Sequence, residues 1–359
     1  MNETSRTPPS IQWSALLAPQ KPRFGDDGAL LDFGDADGEL HTVLGDGGVM
    51  PLPGSGLIRV VGDDAAAFLQ AQLSESVADQ GTDEWRLAGL CNPKGRLLGL
   101  FRVLRLDDDD FLLLTDGSLV EGLVQRLRMY VLRSRVALQD FTPHGGVWGA
   151  AGSGAAALTQ VAGTLPQGTG TAVHAGDTTV LNLGGEPERF LAVAHARDAE
   201  GLWSTLTDAS RPVTPTGWTL LGIRAGEPEV TAATRERFVP QQVNLELIGG
   251  ISFQKGCYPG QEVIARMHYR GKPSRRMFGL TAPAGSVPSP GDSVLTADGA
   301  SAGEVVRAVA GPAGTEALAV LRVQYHGRQD LRLGDQPAGF AQLPYDVPLP
   351  TEEEATDDS

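Results

Sequence analysis

The alternation of apolar and polar residues predicts an α+β unit early in the chain. The segment "GLIRVVG" (56–62) has the period of a half-buried strand, and "DDAAAFLQAQL" (63–73) predicts a helix capped by Asp63 or Asp64. Three strands follow, "RLAGLC", "RLLGLFRVLRL" and "FLLLT", and then come the helix "SLVEGLVQRLRMYVL" and the strand "SRVALQD". The resulting order, β-α-β-β-β-α-β, is typical of a split βαβ layer with one extra strand.

A weaker version of this pattern recurs further along the chain. The segments "GVWGAA", "TTVLNL" and "RFLAVAH" predict strands, and "GAAALTQVAG" and "DAEGLWSTLTDA" predict helices, so we expect a second layer with a cleft beside the first. After Gly271, short β-like runs separated by Pro and Gly predict a small barrel or sandwich. The expected fold class is α+β, with two ferredoxin-like layers and a C-terminal β-barrel.

The same changes in pattern suggest domain boundaries. A chain of 359 residues, 41% of them hydrophobic, is long enough for several domains with ordinary cores. We expect an N-terminal extension with a few short strands (1–50), a first α+β domain (51–140), a second α+β domain (141–248), a linker (249–271), a barrel (272–347) and a disordered acidic tail (348–359).

The formal net charge of −15 argues against general affinity for nucleic acids or membranes. Basic residues nevertheless concentrate in two runs, 85–106 and 255–276. No apolar run reaches the roughly 20 residues needed to cross a bilayer, and no signal-peptide pattern is visible, so we expect a cytoplasmic protein. Cys91 and Cys257 match no disulfide or metal pattern, which predicts reduced thiols and no metal site.

The segment "GGISFQKGCYPGQEVIAR" (249–266) contains one of the two cysteines and one of the four lysines. A turn followed by a helix would place Cys257 just before a helix N-terminus and would give Glu262 and Arg266 the spacing of an ion pair. The helix terminus and Lys255 would both favour a thiolate. Spacing alone leaves two interpretations open, a reactive cysteine and a small buried one.

Two further observations limit this chemistry. None of the six histidines lies in a recognisable catalytic signature, so no base for covalent catalysis is visible. Cys91 ends a predicted strand beside a Lys-Gly turn, which favours a core thiol over a reactive one.

Lys94 and Lys255 both precede glycine in turns, as they would if they faced a shared anionic ligand.

The longer segment "FVPQQVNLELIGGISFQKGCYPGQEVIARMHYRG" (238–271) resembles the signature of the YgfZ-type folate-binding proteins, relatives of the glycine-cleavage T-protein (aminomethyltransferase). The blocks "FLQAQLSESVADQ", "LAGLCNPKGRLLGLFRV", "GWTLLGIRAGEPEV" and "LPYDV" resemble further parts of the family in the same order. The resemblance extends from about Leu57 to Tyr345 and leaves out the N-terminal extension and the acidic tail.

This resemblance implies a ring of three domains around a central channel that binds tetrahydrofolate, and a cysteine that is needed for function. It places Trp218 at the folate site, where the indole would offer a flat apolar face to a ring; without the resemblance, a core aromatic is the favoured interpretation. The candidate residues for chemistry are Cys257 and Lys255. The candidates for folate binding are Trp218, Arg224, Gln241, Asn244, Gln261, Glu262, Arg266 and Lys94.

One departure from the T-protein pattern affects the expected activity. Where the T-protein has an acidic dipeptide, this chain has Gly99 and Leu100, which cannot act as acid or base. We therefore expect a tetrahydrofolate-binding accessory protein that supports the assembly or repair of iron–sulfur enzymes, including radical enzymes that thiolate tRNA, with those enzymes or a cluster carrier as partners. Two alternatives stay open: a folate-dependent aminomethyltransferase or demethylase that uses Glu227 or Glu229, and direct tRNA binding through the basic runs.

Overall fold

The structure is a computed structural model that describes residues 10–270 and 273–349. Its helices are α1 (Trp13–Leu17), α2 (Ala36–Gly45), α3 (Ala65–Gln72), α4 (Val120–Arg128), α5 (Ser153–Ala162), α6 (Ala199–Ala209), α7 (Pro215–Arg224) and α8 (Gln261–Arg270). Its strands are β1 (Arg23–Phe24), β2 (Leu30–Asp32), β3 (Gly47–Pro51), β4 (Ser55–Val61), β5 (Trp85–Cys91), β6 (Leu97–Asp107), β7 (Asp110–Asp116), β8 (Ala137–Asp140), β9 (Gly145–Gly152), β10 (Ala172–Ala175), β11 (Thr178–Gly184), β12 (Arg189–His195), β13 (Arg275–Ala282), β14 (Ser293–Thr296), β15 (Ser301–Gly311), β16 (Gly314–Arg322), β17 (Leu331–Leu333) and β18 (Gln336–Ala341).

The first α+β unit is an antiparallel sheet of order β5-β6-β7-β4-β8. Alternate residues of β4 face opposite sides, so Ile58 packs with the helices α3 and α4 while Leu57 faces the second unit. The order of elements along the chain confirms the one expected from the sequence. Helix α4 ends earlier than the pattern predicts, because Leu132 lies in the left-handed region with a φ of 45°.

The second unit is a sheet of order β10-β11-β12-β9-β3, with α5 and α6 packed on its outer face. Its inner face contributes Leu181, Leu191 and Val193 to a core shared with the first sheet. Strand β3 comes from the N-terminal segment and pairs with β9, where Val49 lies opposite Ala150. That segment was expected to hold only a few short strands; it also contains helix α2 and supplies the edge strand of this sheet.

The third unit is a closed antiparallel barrel of order β13-β16-β15-β14-β17-β18. Its interior is filled by apolar side chains such as Phe278, Val294 and Leu321. The sequence predicts β13 to β16. It does not predict β17, which has only three residues, or β18, which is interrupted by Pro and Gly.

One cluster of buried side chains joins the first unit to the barrel, since it contains Ile58 of β4, Leu220 of α7 and Met277 of β13. A second cluster joins the first and second units. The two α+β layers with a C-terminal barrel therefore confirm the predicted fold class. In the part of the chain that the structure describes, no helix is long and apolar enough to span a membrane. The predicted acidic tail lies, from residue 350 onward, outside the described residues.

Candidate functional site

A cavity of about 910 Å³ lies where the three units meet. The first sheet contributes Trp85 and Arg102, β12 contributes Arg189, α7 contributes Trp218, and the barrel strand β15 contributes Arg307. Binding sites for small molecules usually measure about 300–1,000 Å³, with apolar walls and a few polar groups. This cavity is therefore large enough for a cofactor with more than one ring.

Trp218 forms one wall of the cavity, as the resemblance implies. Helix α7 begins after Thr214, whose hydroxyl accepts a hydrogen bond from the Thr216 amide, and Pro215 occupies the first helical position. The indole lies over Gly149 of β9, where any side chain would clash with the ring. The ring is half-buried, so part of its surface is available to a ligand.

Beside Trp218, the carboxylate of Glu227 joins two arginines. It accepts hydrogen bonds from Nη2 of Arg102 and from Nη2 of Arg189, each at 2.7 Å, and the Arg189 guanidinium lies 5.8 Å from the Trp218 ring centre. Burial acts to raise the pKa of Glu227, but the charges of Arg189 and Arg102 outweigh it and lower that pKa to about 2. Glu227 therefore stays ionised at neutral pH and fixes both guanidinium groups.

Trp85 forms a second aromatic wall that the sequence does not reveal. Its indole Nε1 donates a hydrogen bond to the carbonyl oxygen of Asn182 at 2.8 Å, and the Arg102 guanidinium lies 5.7 Å from its ring centre. Among the described residues, Nε of Arg102 is a buried donor without a hydrogen-bond partner. The sequence shows Arg102 only as part of a basic run. In the structure Arg102 lies opposite Leu87, which is two residues from Trp85 and on the same face of the sheet, and this strand register cannot be read from the sequence.

Three other predicted folate-binding residues have protein partners of their own. Arg224 lines the cavity, but its guanidinium pairs with Glu316 of the barrel at 2.6 and 2.9 Å. The buried amides of Gln241 and Asn244 donate to backbone carbonyls of α8 and β13, at 2.7 and 2.8 Å. Neither amide lies on the cavity wall. The expectation that these amides meet the ligand is corrected: they fasten the segment before the cysteine motif to the barrel.

The cysteine motif lies away from the described cavity wall. Cys257 is exposed, and a turn separates it from α8, which begins at Gln261. Within the described residues, Glu262 and Arg266 do not form the ion pair that their spacing allows. Neither they nor Gln261 line the cavity. Trp218 therefore lines the cavity, and Cys257 does not.

Lys255 has a different role from the one expected. Its ammonium group donates hydrogen bonds to the backbone carbonyls of Gln70 at 2.6 Å, of Leu73, and of Glu75 at 3.1 Å. These carbonyls lie at the C-terminal end of α3, where a positive charge is stabilising. Burial lowers the pKa of Lys255 to about 8, against the opposing charge of Glu75. The ammonium that was expected to favour the thiolate instead fastens the motif to the first unit.

The predicted Lys94-Gly95 turn packs against the predicted Pro259-Gly260 turn. Gly260 has a φ of 82°, and a Cβ there would lie 2.7 Å from the Cα of Gly95, so the turn 91–96 lies directly against the turn after Cys257. Cys91 is buried, and burial raises its pKa to about 12, as expected of a core thiol. Lys94 is exposed at the tip of its turn and does not line the cavity.

Gly99 and Leu100 supply no acid or base to the cavity. Gly99 packs against Leu123, and Leu100 lines the cavity. Glu227 is a poor base because two arginines lower its pKa and so weaken its affinity for a proton. Glu229 is 41% exposed and lies 3.5 Å from Arg307. In residues 10–270 and 273–349, no three His, Cys, Asp or Glu side chains are placed to hold a metal ion.

No protein-family model matches the chain. The chain is 33% identical over 247 residues to the tRNA-modifying protein YgfZ of Shigella sonnei, covering 68% of this chain and 75% of that protein. It is 34% identical over 241 residues to the protein of the same name from Hamiltonella defensa, covering 67% and 71%. Its fold is similar to the crystal structure of the glycine cleavage system aminomethyltransferase T from Bartonella henselae, with a TM-score of 0.71 over 94% of this chain and 98% of that one, at 18% identity. The chain therefore belongs to the family of the tRNA-modifying YgfZ proteins and has the fold of the aminomethyltransferase T-protein.

Proposed function

We propose that this protein binds tetrahydrofolate in the central cavity and supports the assembly or repair of iron–sulfur enzymes that modify tRNA. The observation that carries the proposal is the cavity itself, which has an available Trp218 face and buried arginines in one space of about 910 Å³. The curated relatives are named tRNA-modifying proteins, which supports the tRNA part of the proposal. The cytoplasm is the proposed place of action.

The residues of the cavity fit the chemistry of tetrahydrofolate. That molecule has a pterin, an aminobenzoyl ring and a glutamate tail with two carboxylates, and it carries one-carbon units when bound. The walls at Trp218 and Trp85 offer flat apolar surfaces for its rings. The buried Nε of Arg102 offers a hydrogen-bond donor that the described protein does not use. A ligand that supplied the acceptor would remove the cost of that unmade bond.

In this proposal the exposed Cys257 face meets the client enzyme or cluster carrier. The thiol is accessible, whereas Cys91 is buried beneath the neighbouring turn. Lys255 holds the segment in place through three backbone carbonyls, so the thiol is presented from an anchored loop. Folate binding and client chemistry therefore occur on different surfaces of one molecule.

The test is complementation in cells that lack the protein. The readout is the fraction of tRNA carrying a methylthio group that an iron–sulfur radical enzyme installs, measured by mass spectrometry at matched protein levels. Wild type and the control Cys91→Ala are expected to restore the modification, whereas Cys257→Ala and Trp218→Ala are expected to leave it several-fold lower. Full restoration by Cys257→Ala would overturn the proposed role of the thiol.

A further inference from the structure

A bulge in β15 turns Arg307 out of the barrel. Val305 pairs with Ala319 of β16 and Arg307 pairs with the adjacent Leu318, so Val306 is an extra residue in β15. In a regular strand, residues that face the same side are two positions apart. Here Val305 packs in the barrel interior and Ala308, three positions on, packs against the same cluster. The bulge therefore directs the intervening Arg307 away from the barrel core and into the central cavity.

Helix α7 leaves room for this guanidinium. Gly222 lies in the last turn of the helix, and a Cβ there would approach Nη1 of Arg307 to 2.9 Å. Glycine inside a helix costs about 1 kcal/mol relative to alanine. The helix therefore has a residue that is unfavourable for its own stability at the position where Arg307 needs space.

Among the described residues, Arg307 forms no ion pair closer than 3.5 Å, although its charge also helps to lower the pKa of the nearby Glu227. Arg307 is 8% exposed, and its Nε is buried without a hydrogen-bond partner. Its one ion pair joins Nη2 to Glu229 at 3.5 Å, and that carboxylate is 41% exposed, so the pair is long and screened by solvent. Asp116, whose pKa burial raises, also lines the cavity but forms its hydrogen bonds with Ser118. A buried guanidinium with unfilled donors is costly, and its planar fork matches a carboxylate.

We propose that Arg307 is a specificity-determining residue that binds a carboxylate of the glutamate tail of tetrahydrofolate. The assignment rests on the proposed function and adds to it the residue that distinguishes a tailed, anionic folate from an uncharged analogue. It explains three features together: the bulge at Val306, the glycine at position 222 and the unpartnered Nε of Arg307.

The test is a binding cycle with two proteins and two ligands. Wild type and Arg307→Gln are titrated anaerobically with tetrahydrofolate and with its bis-amide, in which both glutamate carboxylates are carboxamides. Truncating one partner of a buried charge pair costs about 2–5 kcal/mol, so Arg307→Gln should weaken binding of tetrahydrofolate by at least about tenfold. The same variant should change the affinity for the bis-amide by less than about threefold, because that ligand lacks the charge.

Arg328→Gln is the matched control, because Arg328 lies on the barrel surface and pairs with Asp330. It should bind both ligands as wild type does. Equal losses for the two ligands, or no loss for either, would overturn the assignment of Arg307 while leaving tetrahydrofolate binding intact. Failure of the wild type to bind tetrahydrofolate would overturn the proposed function and this assignment with it.

Discussion

Glu227 shows how single residues organise the site. Its carboxylate pairs with two guanidinium groups that otherwise would repel each other, and each guanidinium lies beside a tryptophan of the wall. The residue was a candidate for acid–base chemistry because of its position in the sequence. Its low pKa and its two arginine partners give it a positioning role instead.

Glu227→Gln should destabilise the fold in a pH-dependent way. Removing one partner of a buried ion pair leaves uncompensated charge, so the variant should lose about 3 kcal/mol of unfolding free energy at pH 7. The folded-state pKa of Glu227, about 2, lies below its ordinary value of 4.5, so the stability that its ionisation contributes is present above pH 4.5 and is lost as the pH falls towards 2. Chemical denaturation of wild type and Glu227→Gln between pH 7 and pH 2 should show that the difference between their unfolding free energies becomes smaller as the pH falls. A difference in unfolding free energy between wild type and Glu227→Gln that stays the same at all pH values would contradict this prediction. Asp330→Asn is the control, because Asp330 belongs to an exposed ion pair.

Lys255 should titrate near pH 8. Burial disfavours its charged form and lowers its pKa from 10.5 to about 8. The chain has four lysines, so ¹³C-lysine NMR can follow each ε-methylene signal separately. The signal that is missing in Lys255→Gln should shift with a midpoint near pH 8. A midpoint above pH 10 for that signal would show that burial does not outweigh the charge-stabilising contacts of Lys255 with the α3 carbonyls.

At the scale of elements, the contact between two turns fixes the cysteine motif. The turn after Cys257 lies against the turn 91–96, and the absence of a side chain at Gly260 permits that approach. The sequence predicts both turns from Pro and Gly, but the chain positions alone do not show that they touch. Cys91, at the start of the turn 91–96, is buried in the same hydrophobic cluster as Tyr258, which follows Cys257.

Gly260→Ala should expose Cys91. A Cβ at position 260 would collide with the backbone of the neighbouring turn, and its φ of 82° is unfavourable for alanine. The reaction of a thiol reagent should be biphasic in wild type, fast for Cys257 and slow for Cys91. The slow phase should become at least several-fold faster in Gly260→Ala. Gly256→Ala is the matched control, since a Cβ there meets nothing within 4 Å, and equal rates in the two variants would refute the prediction.

Gly222→Ala should weaken tetrahydrofolate binding without unfolding the protein. The new methyl group displaces Arg307, while alanine favours the helix by about 1 kcal/mol. Calorimetry should show several-fold weaker binding at an unchanged or higher melting temperature. Gly201→Ala in α6 is the control, because a Cβ there meets nothing within 4 Å, and it should bind as wild type does. Wild-type affinity in Gly222→Ala would show that the guanidinium does not need this space.

At the scale of the whole molecule, local pattern predicts the layers, and tertiary contact determines the site. Strand alternation and helical periodicity give the element order of the first α+β unit and most of the second, because each element buries one face, but they miss β3 and β10 of the second sheet. The cluster of Arg102, Arg189 and Glu227 joins three distant parts of the chain and has no local signature. The sequence does not reveal the position of Arg307 either, since a one-residue bulge determines which side of the strand its side chain faces. The family resemblance identifies Trp218 as a candidate residue, but it does not predict that the indole packs on Gly149.

The measurement that tests the central claim most directly is an anaerobic calorimetric titration of tetrahydrofolate into wild type, Trp218→Ala, Cys257→Ala and Trp13→Ala. Trp13 is the control because it packs against Trp148 and does not line the cavity. The account predicts saturable binding that Trp218→Ala weakens by at least about fivefold, since stacking of a ring on an aromatic residue contributes about 1–3 kcal/mol. Cys257→Ala and Trp13→Ala should bind as wild type does. No binding by wild type, or wild-type affinity in Trp218→Ala, would contradict the assignment of folate to the central cavity.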